Sequence, residues 1–219
     1  MSHKFAKPHQ RWHVLLRFVG LLWLAGLPDV AHAASPAKVL VFGDSLAAGF
    51  GLPPEAAFPV QLEAKLHAEN VPVQVVNGGN SGDTTAAGLA RLDWALADKP
   101  TLVILELGAN DMLRGIDPVN VRANLQAMID KIKASGAKLL LAGMQSAPNW
   151  GKEYQRDFNR IYPELAQADN VTLYPFFLEG VAMDPKLNQP DGKHPNENGV
   201  EVLVDRIAPL VAKMLGGAS

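Results

Sequence analysis

Two short stretches, far apart in the chain, hold the side chains best suited to nucleophilic chemistry: Gly43-Asp44-Ser45-Leu46 and Asp191-Gly192-Lys193-His194-Pro195. A serine hydroxyl is a weak nucleophile until a neighbouring base takes its proton, and a histidine can do so near neutral pH. Asp191 precedes His194 by three residues, with Gly192 permitting a turn and Pro195 fixing the exit. One loop can therefore offer a carboxylate to imidazole Nδ1–H while Nε2 faces the serine. Two further residues could stabilise the charge that such an attack creates. Asn110, in Gly108-Ala109-Asn110-Asp111, carries an amide donor, and Gly82, in Ser81-Gly82-Asp83, offers a backbone N–H. Each residue also has an ordinary explanation. Ser45 suits a helix cap, Asp-Gly suits a surface turn, and asparagine and glycine suit left-handed turn positions. Taken singly, those explanations are the stronger; their weakness is that all five residues fall on loops of one kind.

The elements that carry these loops alternate between apolar runs and helical stripes. The runs are Lys38–Phe42, Val71–Val76, Thr101–Leu107, Ala137–Ala142 and Val171–Tyr174. They are nearly continuous in Val, Leu and Ile, as strands buried on both faces of a parallel sheet are. Between and after them lie Phe58/Leu62/Leu66, Leu89/Leu92/Leu96, Val121/Leu125/Ile129/Ile132, Tyr154/Phe158/Ile161/Leu165 and Val200/Leu203/Ile207/Val211/Met214, all at helical spacing. Five alternations predict an α/β fold with helices on both faces of the sheet. In such a fold ligands bind beyond the carboxyl ends of the strands, which is where the four loops lie. Glu106 interrupts an apolar strand and reads as a structural carboxyl tying down a neighbouring loop. His67, between Lys65 and Glu69, reads as solvated, and Trp150 reads equally as a loop anchor or an exposed apolar wall.

The amino terminus follows a different logic. Lys4, Lys7, Arg11 and Arg17 precede the apolar run Phe18–Leu27, and Ala31-His32-Ala33 places small residues at the −3 and −1 positions. This is the pattern of a secretory signal cleaved after Ala33, which directs the chain to the periplasm or outside the cell. The apolar run is too short to cross ~30 Å of hydrocarbon. Residues 34–219 are then expected to form a single domain, monomeric and without a membrane span. Removing residues 1–33 takes four basic residues and one acid, so the remainder is more acidic than the whole chain's −2. No basic cluster suggests nucleic acid. The absence of cysteine removes disulfides, thiolate nucleophiles, lipid anchoring and Cys-based metal sites. Only His67 and His194 remain after cleavage, too few for a histidine-rich dinuclear centre.

The four loop segments, in their order and over nearly the whole of residues 34–219, resemble the four blocks of the SGNH (GDSL) hydrolases. Gly88-Leu-Ala-Arg-Leu92, Glu106-Leu-Gly-Ala-Asn-Asp111 and Tyr174-Pro-Phe-Phe177 are similar to the branch of bacterial periplasmic acyl-CoA thioesterases, lysophospholipases and arylesterases. The resemblance implies a three-layer α/β/α flavodoxin-like fold with a five-stranded parallel sheet in the order 2-1-3-4-5. It implies Ser45 as nucleophile, Asp191 and His194 as the rest of the triad, and an oxyanion hole from Ser45, Gly82 and Asn110. The substrate would be a small acyl ester or thioester, no cofactor is implied, and the loop Gln145–Lys152 would help line an acyl pocket. Two rival readings stand beside it: a binding module without activity, and a metal-dependent phosphoesterase using Asp44, Asp83, Asp111 and Asp191.

Overall fold

The computed structural model describes residues 1–4 and 36–216. Met1–Ala34 and Ser35–Ser219 separate as two contact units, and the second holds every strand and helix among the described residues. Residues 1–4 have no regular secondary structure, and the rest of the predicted signal segment lies outside the described residues.

Five parallel strands, β1 (Ala37–Gly43), β2 (Val73–Gly79), β3 (Leu102–Glu106), β4 (Lys138–Ala142) and β5 (Thr172–Tyr174), form one sheet in the order β2-β1-β3-β4-β5. β3 is buried throughout because it has a strand on each side and helices above and below. The helices α1 (Ser45–Ala48), α2 (Phe58–Ala68), α3 (Thr85–Leu96), α4 (Ala109–Leu113), α5 (Pro118–Ala134), α6 (Lys152–Asp169) and α7 (Glu197–Leu215) follow in chain order. α2 packs on α7, and α5 packs on α3 and α6, giving the two outer layers. The stripes do this work: Leu62 and Leu66 of α2, Leu125, Ile129 and Ile132 of α5, Phe158, Ile161 and Leu165 of α6, and Leu203, Ile207 and Val211 of α7 are all buried.

The second strand departs from expectation. Its apolar run suggests Val71–Val76, yet pairing with β1 runs from Val73 to Gly79, with Asn77, Gly78 and Gly79 opposite Val41, Phe42 and Gly43. Hydrophobicity does not mark this extension, because backbone hydrogen bonding and close approach to β1 decide it. β2 is an edge strand, and two side chains of α2, one helical turn apart, cover its open side. Glu63 accepts the Val75 N–H, and His67 Nε2–H donates to Val73 O at 2.7 Å. His67 is exposed but, against expectation, spends a ring nitrogen on the sheet edge.

The register brings the chemistry together. Gly79, Gly43, Glu106 and Ala142 sit side by side at the carboxyl edge of β2, β1, β3 and β4. The loops holding Ser45, Gly82 and Asn110 leave the sheet at that edge.

Candidate active site

Ser45 is the first residue of α1, immediately past the end of β1. The helix cap is Asp44, whose Oδ1 accepts the Leu46 N–H at 3.0 Å, so the Ser45 side chain is released from capping. Its Oγ lies 2.9 Å from His194 Nε2. On the far side of the ring, His194 Nδ1 lies 2.5 Å from Asp191 Oδ2. An ionised carboxylate can only accept, so Nδ1 carries the proton and Nε2 is left to accept from the serine hydroxyl. Asp191 Oδ1 in turn accepts the Lys193 and His194 N–H groups at 2.9 and 3.1 Å. The imidazole, with help from the backbone N–H groups, holds the Asp191 carboxyl down at about 2.

The segment carrying His194 has little regular structure, and side-chain amides hold it. Asn188 Nδ2 donates to Val181 O and Asp184 O, and Asn196 Nδ2 donates to Lys186 O. Gln189 donates its backbone N–H to His194 O at 2.8 Å and its side-chain amide to Phe50 O and Pro195 O. The Phe50 ring rests 4.7 Å from the imidazole, centroid to centroid. Gln189 and Phe50 escaped the sequence reading because neither belongs to a periodic stripe. Only their closeness to the Asp191 and Ser45 segments could have marked them.

Asn110, near the start of α4, is half-buried and already committed. Its amide donates to Asp44 Oδ2 at 2.9 Å and to Asp83 O at 3.0 Å. Among the described residues, by contrast, no acceptor bonds the Ser45 or Gly82 N–H. The turn that presents Asn110 depends on Gly108. Its φ is +121°, and a Cβ there would stand 2.0 Å from the Tyr162 hydroxyl, which donates to Leu107 O.

Beneath Ser45 lie two buried carboxyls. Glu106 Oε2 accepts the Asp44 N–H at 3.3 Å and fills the place where a Cβ on Gly43 would sit. The expected structural role of Glu106 is therefore visible: it ties down the turn that carries Ser45. Desolvation, with Asp44 nearby, pushes the Glu106 carboxyl well above the usual carboxylate range. Desolvation also raises Asp44, to about 6, against the hydrogen bonds from Leu46 and Asn110.

The remaining acids do not gather around a common point. Asp111 accepts the N–H and hydroxyl of Thr85, and Asp83 pairs with Arg91. Among the described residues no three His, Cys, Asp or Glu side chains converge as a metal cage. Trp150 combines packing with exposure. It is 46% exposed, yet it packs over Gly115 and beside Tyr154, whose hydroxyl donates to Ile116 O. It thus braces the turn after α4 while leaving an apolar face to solvent.

The family model of GDSL-like lipases/acylhydrolases matches residues 41–202. An arylesterase of Vibrio mimicus is 41% identical over 202 residues, 92% of this chain and 100% of the relative. The thioesterase 1/protease 1/lysophospholipase L1 of Escherichia coli K12 is 38% identical over 206 residues, 92% of this chain and 94% of the relative. A crystal structure of the psychrotrophic esterase EstA from Pseudoalteromonas sp., inhibited by monoethylphosphonate, superposes with a TM-score of 0.78 at 32% identity. It covers 82% of this chain and 99% of the other.

Proposed function

Since the chain belongs to the GDSL-like lipase/acylhydrolase family, we propose that it hydrolyses carboxylic esters and thioesters through an acyl-enzyme on Ser45, with His194 as base and Asp191 as its orienter. One observation carries this reading: the unbroken chain of contacts from Ser45 Oγ through both ring nitrogens of His194 to Asp191 Oδ2. As Oγ attacks the acyl carbon, its proton passes to His194 Nε2, and Asp191 stabilises the imidazolium that forms. His194 then returns the proton to the leaving alkoxide or thiolate. Water attacks the acyl-enzyme with His194 again as base, releasing the acid and restoring Ser45.

The tetrahedral states place a negative charge on the former carbonyl oxygen. The Ser45 and Gly82 N–H groups are free to meet it, and the Asn110 amide is the third donor. Asn110 reaches it by sharing the N–H that it donates to Asp83 O, since an oxyanion is a stronger acceptor than a neutral carbonyl. No step calls for a metal or an organic cofactor. Aryl esters, acyl thioesters and lysophospholipids are the substrate classes, following the names of the relatives. The exposed face of Trp150 and the half-exposed Phe50 supply apolar surface for the acyl chain.

The working form is residues 34–219, a monomeric domain released to the periplasm or beyond after removal of residues 1–33. Among the described residues no helix is long and apolar enough to cross a membrane. The cover that Glu63 and His67 place on the β2 edge supports a monomer, because an open edge invites pairing. The test is a panel of p-nitrophenyl esters and acyl thioesters of increasing chain length, run on wild type and Ser45→Ala. Wild type should turn over and react with a fluorophosphonate; Ser45→Ala should do neither while unfolding at the same temperature. A Ser45→Ala protein as active as wild type, or a wild type inert to every ester and to the phosphonate, would sink the reading.

A further inference from the structure

Arg91, on α3, takes no part in the Ser45–His194–Asp191 chain, yet three segments of the site meet on its guanidinium. Nε donates to Asp83 Oδ2 at 2.6 Å, Nη1 to Gly78 O at 2.8 Å, and Nη2 to Gly43 O at 2.8 Å. The guanidinium carbon also stands 4.0 Å from the centroid of the Phe42 ring, a cation–π contact. The pair with Asp83 is well shielded, with side-chain exposures of 26% and 8%. It therefore differs from a surface ion pair of little worth.

What these acceptors hold gives the contact its meaning. Gly43 ends β1 two residues before Ser45, and its carbonyl also accepts the Asn80 N–H. Gly78 lies near the end of β2, ahead of the loop that carries Gly82. Asp83 directly follows Gly82. Its second carboxylate oxygen accepts from Asn80 Nδ2 at 2.6 Å, and its carbonyl accepts from Asn110 Nδ2. A single planar cation thus fixes the mutual placement of the three groups assigned to the oxyanion. A lysine cannot copy this, because one ammonium does not reach three acceptors in a fixed fork.

We propose that Arg91 is the positioning residue of the oxyanion hole. It acts through Gly43 on Ser45, and through Asp83 on Gly82 and Asn110. The proposal rests on the hydrolase reading above, and it locates the loss in transition-state stabilisation, with substrate binding unaffected. Displacing such donors by about 1 Å can cost on the order of a hundredfold in rate.

The experiment compares Arg91→Lys, Asp83→Asn and Asn110→Ala, singly and as the Arg91→Lys/Asn110→Ala double variant, with p-nitrophenyl esters and a fluorophosphonate. Arg91→Lys and Asp83→Asn should lower kcat by roughly a hundredfold with KM nearly unchanged, and slow phosphonate labelling in parallel. The double variant should lose little more than the worse single one, because both changes disable the same hole. Adding ethylguanidinium to Arg91→Ala should restore part of kcat and leave wild type unaffected. Wild-type kcat in Arg91→Lys and Asp83→Asn, with only a lowered melting temperature, would make the cluster a structural clamp and overturn the proposal. Fully multiplicative losses in the double variant would overturn it as well. In either case slow Asn110→Ala and inactive Ser45→Ala would show the hydrolase reading intact, whereas an active Ser45→Ala would remove both.

Discussion

Ser45 stands between two aspartates that the protein treats in opposite ways. Asp44 is buried at the end of β1, and desolvation lifts its carboxyl to about 6. Asp191 lies on an exposed loop, and His194 with two backbone N–H groups draws its carboxyl down to about 2. The Ser45 side of the site is thus a scaffold of buried carboxyls and hydrogen-bond donors, where charge is expensive. The histidine side is an exposed loop where a permanent negative charge is held by local hydrogen bonds and water. In the proposed reaction, the hydrogen-bonded buried side would meet the oxyanion, and the charged exposed side would serve the proton transfer.

The comparison breaks most visibly at Asp191. Asp191→Asn keeps the loop contacts but turns one acceptor oxygen into a donor, so the imidazole loses its orientation and its proton is placed on the wrong nitrogen. The expected loss is about 10⁴ in kcat, with the melting temperature little changed because the residue is exposed. The check is steady-state kinetics beside thermal melts, and a kcat near wild type would mean that another group orients His194.

Asn110 tests the other side. Asn110→Ala removes a donor felt mainly in the transition state and should cost about 3 kcal/mol, on the order of a hundredfold in kcat with little change in KM. Asn110→Asp should be worse, because the new carboxylate would replace a donor that now lies 2.9 Å from Asp44 Oδ2. A variant whose KM alone rises would identify Asn110 as a binding residue.

The smallest effect sharpens the contrast between buried and exposed carboxyls. Burial raises the Glu106 carboxyl well above the usual range and favours its protonated form in the fold, so Glu106→Gln should change stability by less than about 1 kcal/mol at acid pH, where the unfolded carboxyl is protonated as well. Glu106→Leu leaves the buried Asp44 N–H without its acceptor and should cost about 1–3 kcal/mol. The sign with pH follows from the folded state holding its protons more tightly than the unfolded chain. The stabilisation from Glu106 and Asp44 is complete below the unfolded carboxyl pKa values and is lost as pH rises through the folded ones, for Asp44 between 3.8 and about 6. Melting temperatures taken across pH should therefore fall less steeply in Glu106→Gln than in wild type. Asp191 contributes in the opposite sense, present above 3.8 and lost as pH falls toward about 2, but its exposure makes that contribution small. Equal slopes in the two proteins would mean that Glu106 titrates normally.

Much of the site was legible in the residues alone. Ser45, Asp191 and His194 lie where the residue types and spacing suggested, and their hydrogen bonds link them in the expected order. Other features were closed to such a reading. A helix cap was the ordinary explanation of Ser45, and only the Asp44–Leu46 bond shows that its neighbour takes that role. Asn110 reads as an amide donor in sequence, and the structure bonds that amide to both Asp44 and Asp83. Arg91 looks like any polar residue on a helix until its three acceptors are seen.

Local and periodic signals determined the alternation of strands and helices, the buried stripes, and the loops that carry Ser45, Gly82, Asn110, Asp191 and His194. They did so because burial and turn formation act over a few residues at a time. The extent of β2, the neighbourhood of Glu106 and Gly43, the opposite treatment of Asp44 and Asp191, and the convergence on Arg91 belong to the tertiary structure. Each depends on strand register and desolvation among segments distant in the chain, and neither quantity exists until those segments are packed together.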